Sequence, residues 1–209
     1  MATGSLHTRA QKRADEGEGE VQVTEGAQRQ DVVVREPRVK DAEAVATAHV
    51  RAWQVGYRGI LPDDVLDRID LAARVERWHG WLADGAFRRT KVRVAEVEGS
   101  VVGFAIHGPE RVPDAPADPG TTSSGVGELY ALNVHPDHWG RGAGAALLTH
   151  VQAALAHAGH REAILWVLPG NARGRRFYER HGWAADGAAK TEEIDGATVE
   201  EIRYRRPLG

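Results

Sequence analysis

The sequence predicts a mixed α/β fold: one central sheet of about six or seven strands with helices on both faces. Three observations carry this. Apolar periodicity orders the segments as strand, helix, helix, two strands, long loop, strand, helix, strand, helix, two strands. The strand–helix–strand unit over 128–168 requires a parallel pair with a right-handed crossover. The short turns before and after it require antiparallel pairs.

Each element has its local reason. Asp31-Val32-Val33-Val34-Arg35 is a short β-rich run that Pro37 ends. Asp41 is placed to cap a helix over 41–54, where Ala42, Val45, Ala48, Ala52 and Trp53 recur at helical spacing. Gly56 and Gly59 punctuate the chain, and Pro62 suits the first turn of a further helix. Val65, Leu66 and Ile69, then Leu71, Val75, Trp78 and Leu82, predict one broken helix or two short ones over 62–83. Lys91–Val97 and 100–107 are strands around a Glu98-Gly99 turn. Residues 108–126 carry four prolines and read as a long loop. Glu128–Val134 is the next strand. Leu147, Leu148, Val151 and Leu155 define a helix ending near Gly159, and Ala163–Leu168 is a buried strand. Asn171 starts a short helix, with Gly182 past its end. Residues 183–206 complete the chain as two strands joined at Asp195-Gly196.

Composition bounds the function. The chain has 209 residues, 24 of them glycine, and is 42% hydrophobic. Residues 1–30 hold almost no bulky apolar side chains and read as a flexible tail, leaving 31–209 as one domain. A net charge of −3 argues against general nucleic-acid binding. The absence of cysteine removes thiolate nucleophiles and Cys-ligated metal. No apolar stretch is long enough to span a membrane, and the N-terminus has no signal core, so a cytoplasmic protein is expected. The ten histidines form no HExxH, no metal is expected, and no GxSxG elbow is present.

The sharpest motif is Trp139-Gly140-Arg141-Gly142-Ala143-Gly144-Ala145, between a strand and a helix. Small residues let the backbone curl there, so that unpaired helix N-terminal amides face outward with the positive end of the dipole. That arrangement suits a pyrophosphate, with Arg141 adding charge. A Walker loop is absent. Gly140, Gly142 and Ala145, with Glu162 downstream, satisfy the Rossmann pattern literally. The intervening HPDHW and the short remaining chain argue against a dinucleotide oxidoreductase, which stays as a third reading.

LNVHPDHWGRGAGAALL resembles motif A of the GNAT superfamily of acyl-CoA-dependent N-acetyltransferases, Q/R-x-x-G-x-G/A after a strand ending V-x-P. Gly142 and Gly144 fill the two glycine positions, and Trp139 stands where Gln or Arg is usual. The segment from Asn171 to Trp183 resembles the family's N-x-x-A-x-x-F-Y-E-x-x-G-F, with Gly174 for Ala and Trp183 for the final Phe. VRAWQVGYRGILPDDVL resembles the first helical region of bacterial members. The resemblance covers about 32–206. It implies a sheet whose parallel strands splay apart, with acetyl-CoA as cosubstrate and a small-molecule or protein amine as acceptor.

The resemblance also implies roles. The amides of Gly140, Arg141, Gly142, Ala143, Gly144 and Ala145 bind pyrophosphate, and Leu132, Asn133 and Val134 line the pantetheine. The Val134 N–H polarises the thioester carbonyl. Tyr178 is the general acid for the thiolate, or positions the sulfur. Asn171 binds cofactor, caps its helix, or both. Glu128 is the expected base, with an ordinary strand-edge glutamate as the alternative. Trp53 and Tyr57 line the acceptor pocket, with core packing as the alternative for Trp53. Ribosomal-protein acetyltransferases carry a glutamate where this chain has Trp166, which argues against a peptide N-terminus as acceptor. A non-catalytic CoA-sensing module remains an alternative, and a homodimer through the C-terminal strands is compatible with the sequence.

Overall fold

The computed structural model describes residues 31–85, 90–111, 125–194 and 197–209. The expected tail, most of the expected long loop and the Asp195-Gly196 turn lie outside them.

The elements run β1 (Val32–Arg35), α1 (Ala42–Gly56), α2 (Asp63–Asp67), α3 (Leu71–Ala83), β2 (Lys91–Val97), β3 (Ser100–Pro109), β4 (Val126–Val134), α4 (Ala143–His157), β5 (Glu162–Val167), α5 (Ala172–Arg180), β6 (Ala184–Ile194) and β7 (Ala197–Pro207). They form one seven-stranded sheet in the order β1-β2-β3-β4-β5-β7-β6. Among the described strands of the sheet, only the β4–β5 pair is parallel. A sheet so largely antiparallel is incompatible with a doubly wound dinucleotide fold, which removes the Rossmann reading.

Two apolar layers cover the sheet. Leu147, Leu148, Val151 and Leu155 of α4 bury one stripe against Val102, Ala105, Leu129, Leu165 and Tyr204. Ala42, Val45 and Ala46 of α1 and Trp78 of α3 pack on Val92, Val94 and Phe104 of the opposite face. Trp78 and Phe104 meet edge-to-face at 4.9 Å. At Gly127 a Cβ would fall 2.7 Å from Leu155 Cδ2, so glycine lets α4 lie close on β4.

Local chemistry explains most boundaries. Val97 pairs with Ser100 around Glu98 and Gly99, both at positive φ, the geometry of a tight two-residue hairpin. Asp41 differs from expectation: it stands at the N-cap position of α1, but its carboxylate makes no cap bond to that helix. It is buried, 2.7 Å from Arg35 Nη1, and also accepts the Arg38 N–H at 2.7 Å. An ion-pair partner nearby outcompetes the cap. Asp70 does form a cap, accepting from the Ala72 and Ala73 amides at the start of α3. Leu71, expected to be apolar stripe, is exposed in that first turn.

The feature that positions the site lies in β4. The β3–β4 ladder runs to Val134, whereas β4–β5 pairing stops at Leu129↔Leu165. Tyr130 is the extra residue of a bulge, since Ile106 pairs with Ala131 and His107 with Leu129. A bulge bends its strand. Beyond it β4 follows β3, β5 follows β7, and a gap opens between the parallel pair.

Candidate active site

The gap is the floor of a cleft of about 990 Å³ that runs between α4, α5 and α1. At one end is the glycine loop. Gly140 and Gly142 have φ of 77° and 101°, left-handed values that any side chain would strain. Gly142 is the N-cap of α4, and its carbonyl accepts the Ala146 amide. The amides of the first turn have no earlier carbonyl to bond within the helix. Gly140, Arg141, Gly142, Gly144 and Ala145 line the cleft. Ala143 does not; its methyl is buried in the core beneath α4. Arg141, Arg173, Arg176 and Arg180 make this end strongly cationic.

Trp139, the departure from the usual motif, has its own work. Its Nε1 donates to the Val134 carbonyl at 2.6 Å, and the Arg173 guanidinium stacks on its ring at 3.8 Å. The indole thus ties the end of β4 to the start of α5.

In the middle of the cleft, strand alternation fixes which backbone groups are presented. The His135 N–H donates to Val102 O at 2.8 Å, toward β3. Val134 and Leu132 therefore turn their N–H and C=O the other way, into the gap. Leu132, Asn133 and Val134 all line it.

Asn171 and Tyr178 face them from the α5 side. Asn171 Oδ1 accepts the Gly174 amide at 2.8 Å, capping α5, and Asn171 and Tyr57 line the same cleft. A Cβ on residue 174 would lie 2.7 Å from Asn171 Nδ2, which accounts for Gly174. Tyr178 is half-buried; burial pushes its hydroxyl pKa up, and neighbouring Tyr57 adds to this. It stays protonated at any physiological pH.

Trp53 of α1 and Tyr57, which follows the helix, line the far end, with ring centroids 5.0 Å apart. The structure does not bring Glu128 to them. Glu128 is 1% exposed and absent from the cleft wall. Its carboxylate accepts the Arg111 backbone N–H at 2.8 Å and Arg111 Nη2 at 2.6 Å. With both oxygens engaged by Arg111, it is poorly placed to take a proton from an amine, and its role as base is not carried forward. The cleft's far end holds a different carboxylate, Glu201 of β7, beside Trp166 of β5. Sequence reasoning missed it. Among the described residues no cluster suited to holding a metal occurs, and no helix is long and apolar enough to cross a membrane.

Residues 48–183 match the Acetyltransferase (GNAT) family. The chain belongs to that family and is an acetyltransferase. It is 33% identical over 173 residues to the uncharacterized N-acetyltransferase YuaI of Bacillus subtilis (strain 168), a match covering 82% of this chain and 90% of that protein. The PaiA N-acetyltransferase of Thermoplasma acidophilum, solved in complex with coenzyme A, shares the fold. Its TM-score is 0.62 at 17% identity, over 84% of this chain and 98% of that one. YncA of Salmonella typhimurium, solved with its cofactor acetyl-CoA, gives 0.59 at 20% identity, over 86% and 95%.

Proposed function

We propose that the protein transfers the acetyl group of acetyl-CoA to a primary amine of a small molecule or protein, by direct attack in a ternary complex. The observation that carries this is the continuity of the cleft. One cavity joins the glycine loop, the open edge of β4, Tyr178 and the aromatic pocket of α1. The occurrence of CoA and acetyl-CoA in the related folds of PaiA and YncA supports the same donor here.

The residues fit that donor. The α4 N-terminal amides and dipole suit a pyrophosphate, and the arginines around them add charge. The gap-facing amides of Leu132 and Val134 suit an extended amide-bearing arm. An N–H at Val134 oriented toward a thioester oxygen stabilises the charge that develops there by about 3 kcal/mol. Tyr178, kept protonated by burial, is the donor to the departing thiolate. Asn171 holds the corner between the two halves, and Trp53 and Tyr57 contact the acceptor. Cysteine is absent from the sequence, so no acetyl-cysteine forms on the way.

The test is purified protein with acetyl-CoA, followed by melting temperature, calorimetry and thiol release across an amine panel. Acetyl-CoA is expected to stabilise the fold, and an accepted amine to release CoA. No shift and no heat would overturn the reading. Binding without turnover of any amine would favour the CoA-sensing alternative.

A further inference from the structure

The acceptor end of the cleft contains one acidic side chain among the described lining residues, Glu201. The other charged lining residues are cationic and belong to α4, α5 and their approaches. Glu201 is 9% exposed, on the β7 face that also carries Val199, which packs with Leu61, Leu66 and Leu168. A carboxylate on so apolar a wall needs a cation.

The structure shows which kind of cation the place accepts. Lys190 Nζ of β6 lies 3.2 Å from Glu201 Oε2 and 4.8 Å from the centroid of the Trp166 ring. A primary ammonium thus sits between a carboxylate and an aromatic face. Lys190 is not committed to this position, because its ammonium also pairs with Glu192. It can yield Glu201 to an incoming ammonium while keeping Glu192.

We propose that Glu201 binds the acceptor's ammonium and takes its proton, and that the acceptor is a cationic alkylamine carried on an aromatic or flat body. This rests on the acetyltransferase reading above. Trp53, Tyr57 and Trp166 supply the flat walls. The protons balance. Glu201 accepts one proton from R–NH₃⁺, and the nitrogen lone pair then bonds to the thioester carbon. The carbon–sulfur bond breaks as Tyr178 gives its proton to sulfur. The nitrogen's surplus proton restores Tyr178, and Glu201 releases its own to solvent. The sum is R–NH₃⁺ and acetyl-CoA giving the amide, CoA–SH and one H⁺.

The charged neighbours set the pH response. Burial raises the Glu201 pKa from its ordinary 4.5; Lys190 opposes this, Glu192 adds to it, and Arg111 opposes it. Tyr57, just after α1, lines the same cleft as Glu201 and is neutral below pH 10, its own pKa raised by burial and by the Glu201 charge. The acid limb of the rate profile is therefore expected above pH 4.5. Removing Lys190 is expected to move it higher.

The test uses the full chain with tyramine, tryptamine and Nα-acetyl-lysine amide as alkylammonium probes, and aniline as a primary amine that is neutral at pH 7. Acetyl-CoA affinity is measured separately by calorimetry. Wild-type protein is expected to acetylate at least one alkylammonium probe about tenfold better than aniline. Glu201→Gln is expected to lower kcat/KM for that probe at least 30-fold, with the acetyl-CoA Kd unchanged within twofold. Lys190→Met is expected to lower the amine KM and shift the acid limb upward; it keeps the proposal falsifiable if Glu201→Gln fails to fold. Full activity in Glu201→Gln, an unmoved KM and acid limb in Lys190→Met, preference for aniline, or acetyl-CoA binding without turnover of any alkylammonium probe would each overturn it. Failure of wild-type protein to bind acetyl-CoA would instead overturn the underlying reading.

Discussion

The two ends of the cleft are built on different principles. The end proposed to take the donor is made of backbone: positive-φ glycines, the first turn of α4 and the open edge of β4, with arginines around them. The end proposed to take the acceptor is made of side chains from three distant places: Tyr57 just after α1, Trp166 of β5 and Glu201 of β7. Backbone geometry recognises a group common to many reactions. Side chains on a shared frame are free to vary, and choose what meets that group. The division implies that substitutions at one end leave the other's equilibrium alone.

Tyr178→Phe offers the largest expected effect within that frame. It removes a proton donor and keeps the ring, so kcat is expected to fall about 10²-fold. The acetyl-CoA Kd should stay within twofold by calorimetry. A parallel loss of affinity would make Tyr178 a donor-binding residue instead.

His107 is a control outside both ends. It is 3% exposed on β3, and neither ring nitrogen has a partner among the described residues. Burial first, then Arg93 and His150, push its pKa down to about 4. The unfolded chain, with an ordinary histidine pKa of 6.5, binds the extra proton between about pH 6.5 and 4. Stability is therefore lost as pH falls through that window, by about 3 kcal/mol. His107→Gln should flatten this slope in denaturant titrations at several pH values without changing acetyl-CoA affinity.

Gly142→Ala sharpens the donor side. Alanine at a φ of 101° costs about 1–2 kcal/mol, and a loop that relaxes to avoid this must recover it on binding. Acetyl-CoA is expected to bind about tenfold more weakly, with kcat at saturation little changed.

Gly174→Ala is the one substitution expected to blur the comparison. Its methyl displaces Asn171, which caps α5 and lines the cleft together with Tyr57. Loss of the cap costs about 1 kcal/mol in thermal melts. Donor affinity and amine KM should both weaken by a few-fold. If only one moves, Asn171 does not link the halves.

The contrast also explains what the sequence disclosed. Donor-site residues are nearly contiguous, and glycine at 140 and 142 marks positive φ directly. The strand order of the parallel unit and the hairpin at Glu98-Gly99 were legible for the same reason: neighbours in sequence are neighbours in space. Glu201 was not. It adjoins Glu200 in a strand, so alternation puts one on each face, and only the packing of Val199 on the apolar layer tells which faces inward. Glu128 misled in the opposite way. It was rightly placed on that strand, but the strand starts two residues earlier, at Val126, and its partner Arg111 comes from a segment without periodicity. Asp41 likewise looked like a cap because Arg35, six residues away, gave no local sign of claiming it.

The most direct measurement is the acetyl-CoA dissociation constant by calorimetry in wild-type protein, Gly142→Ala and Glu201→Gln. The expected result is one equivalent bound by wild type, about tenfold weaker binding in Gly142→Ala, and binding within twofold of wild type in Glu201→Gln. Absence of binding to wild type, or equal losses in both variants, would contradict a cleft with a backbone-built donor end and a separate acceptor end.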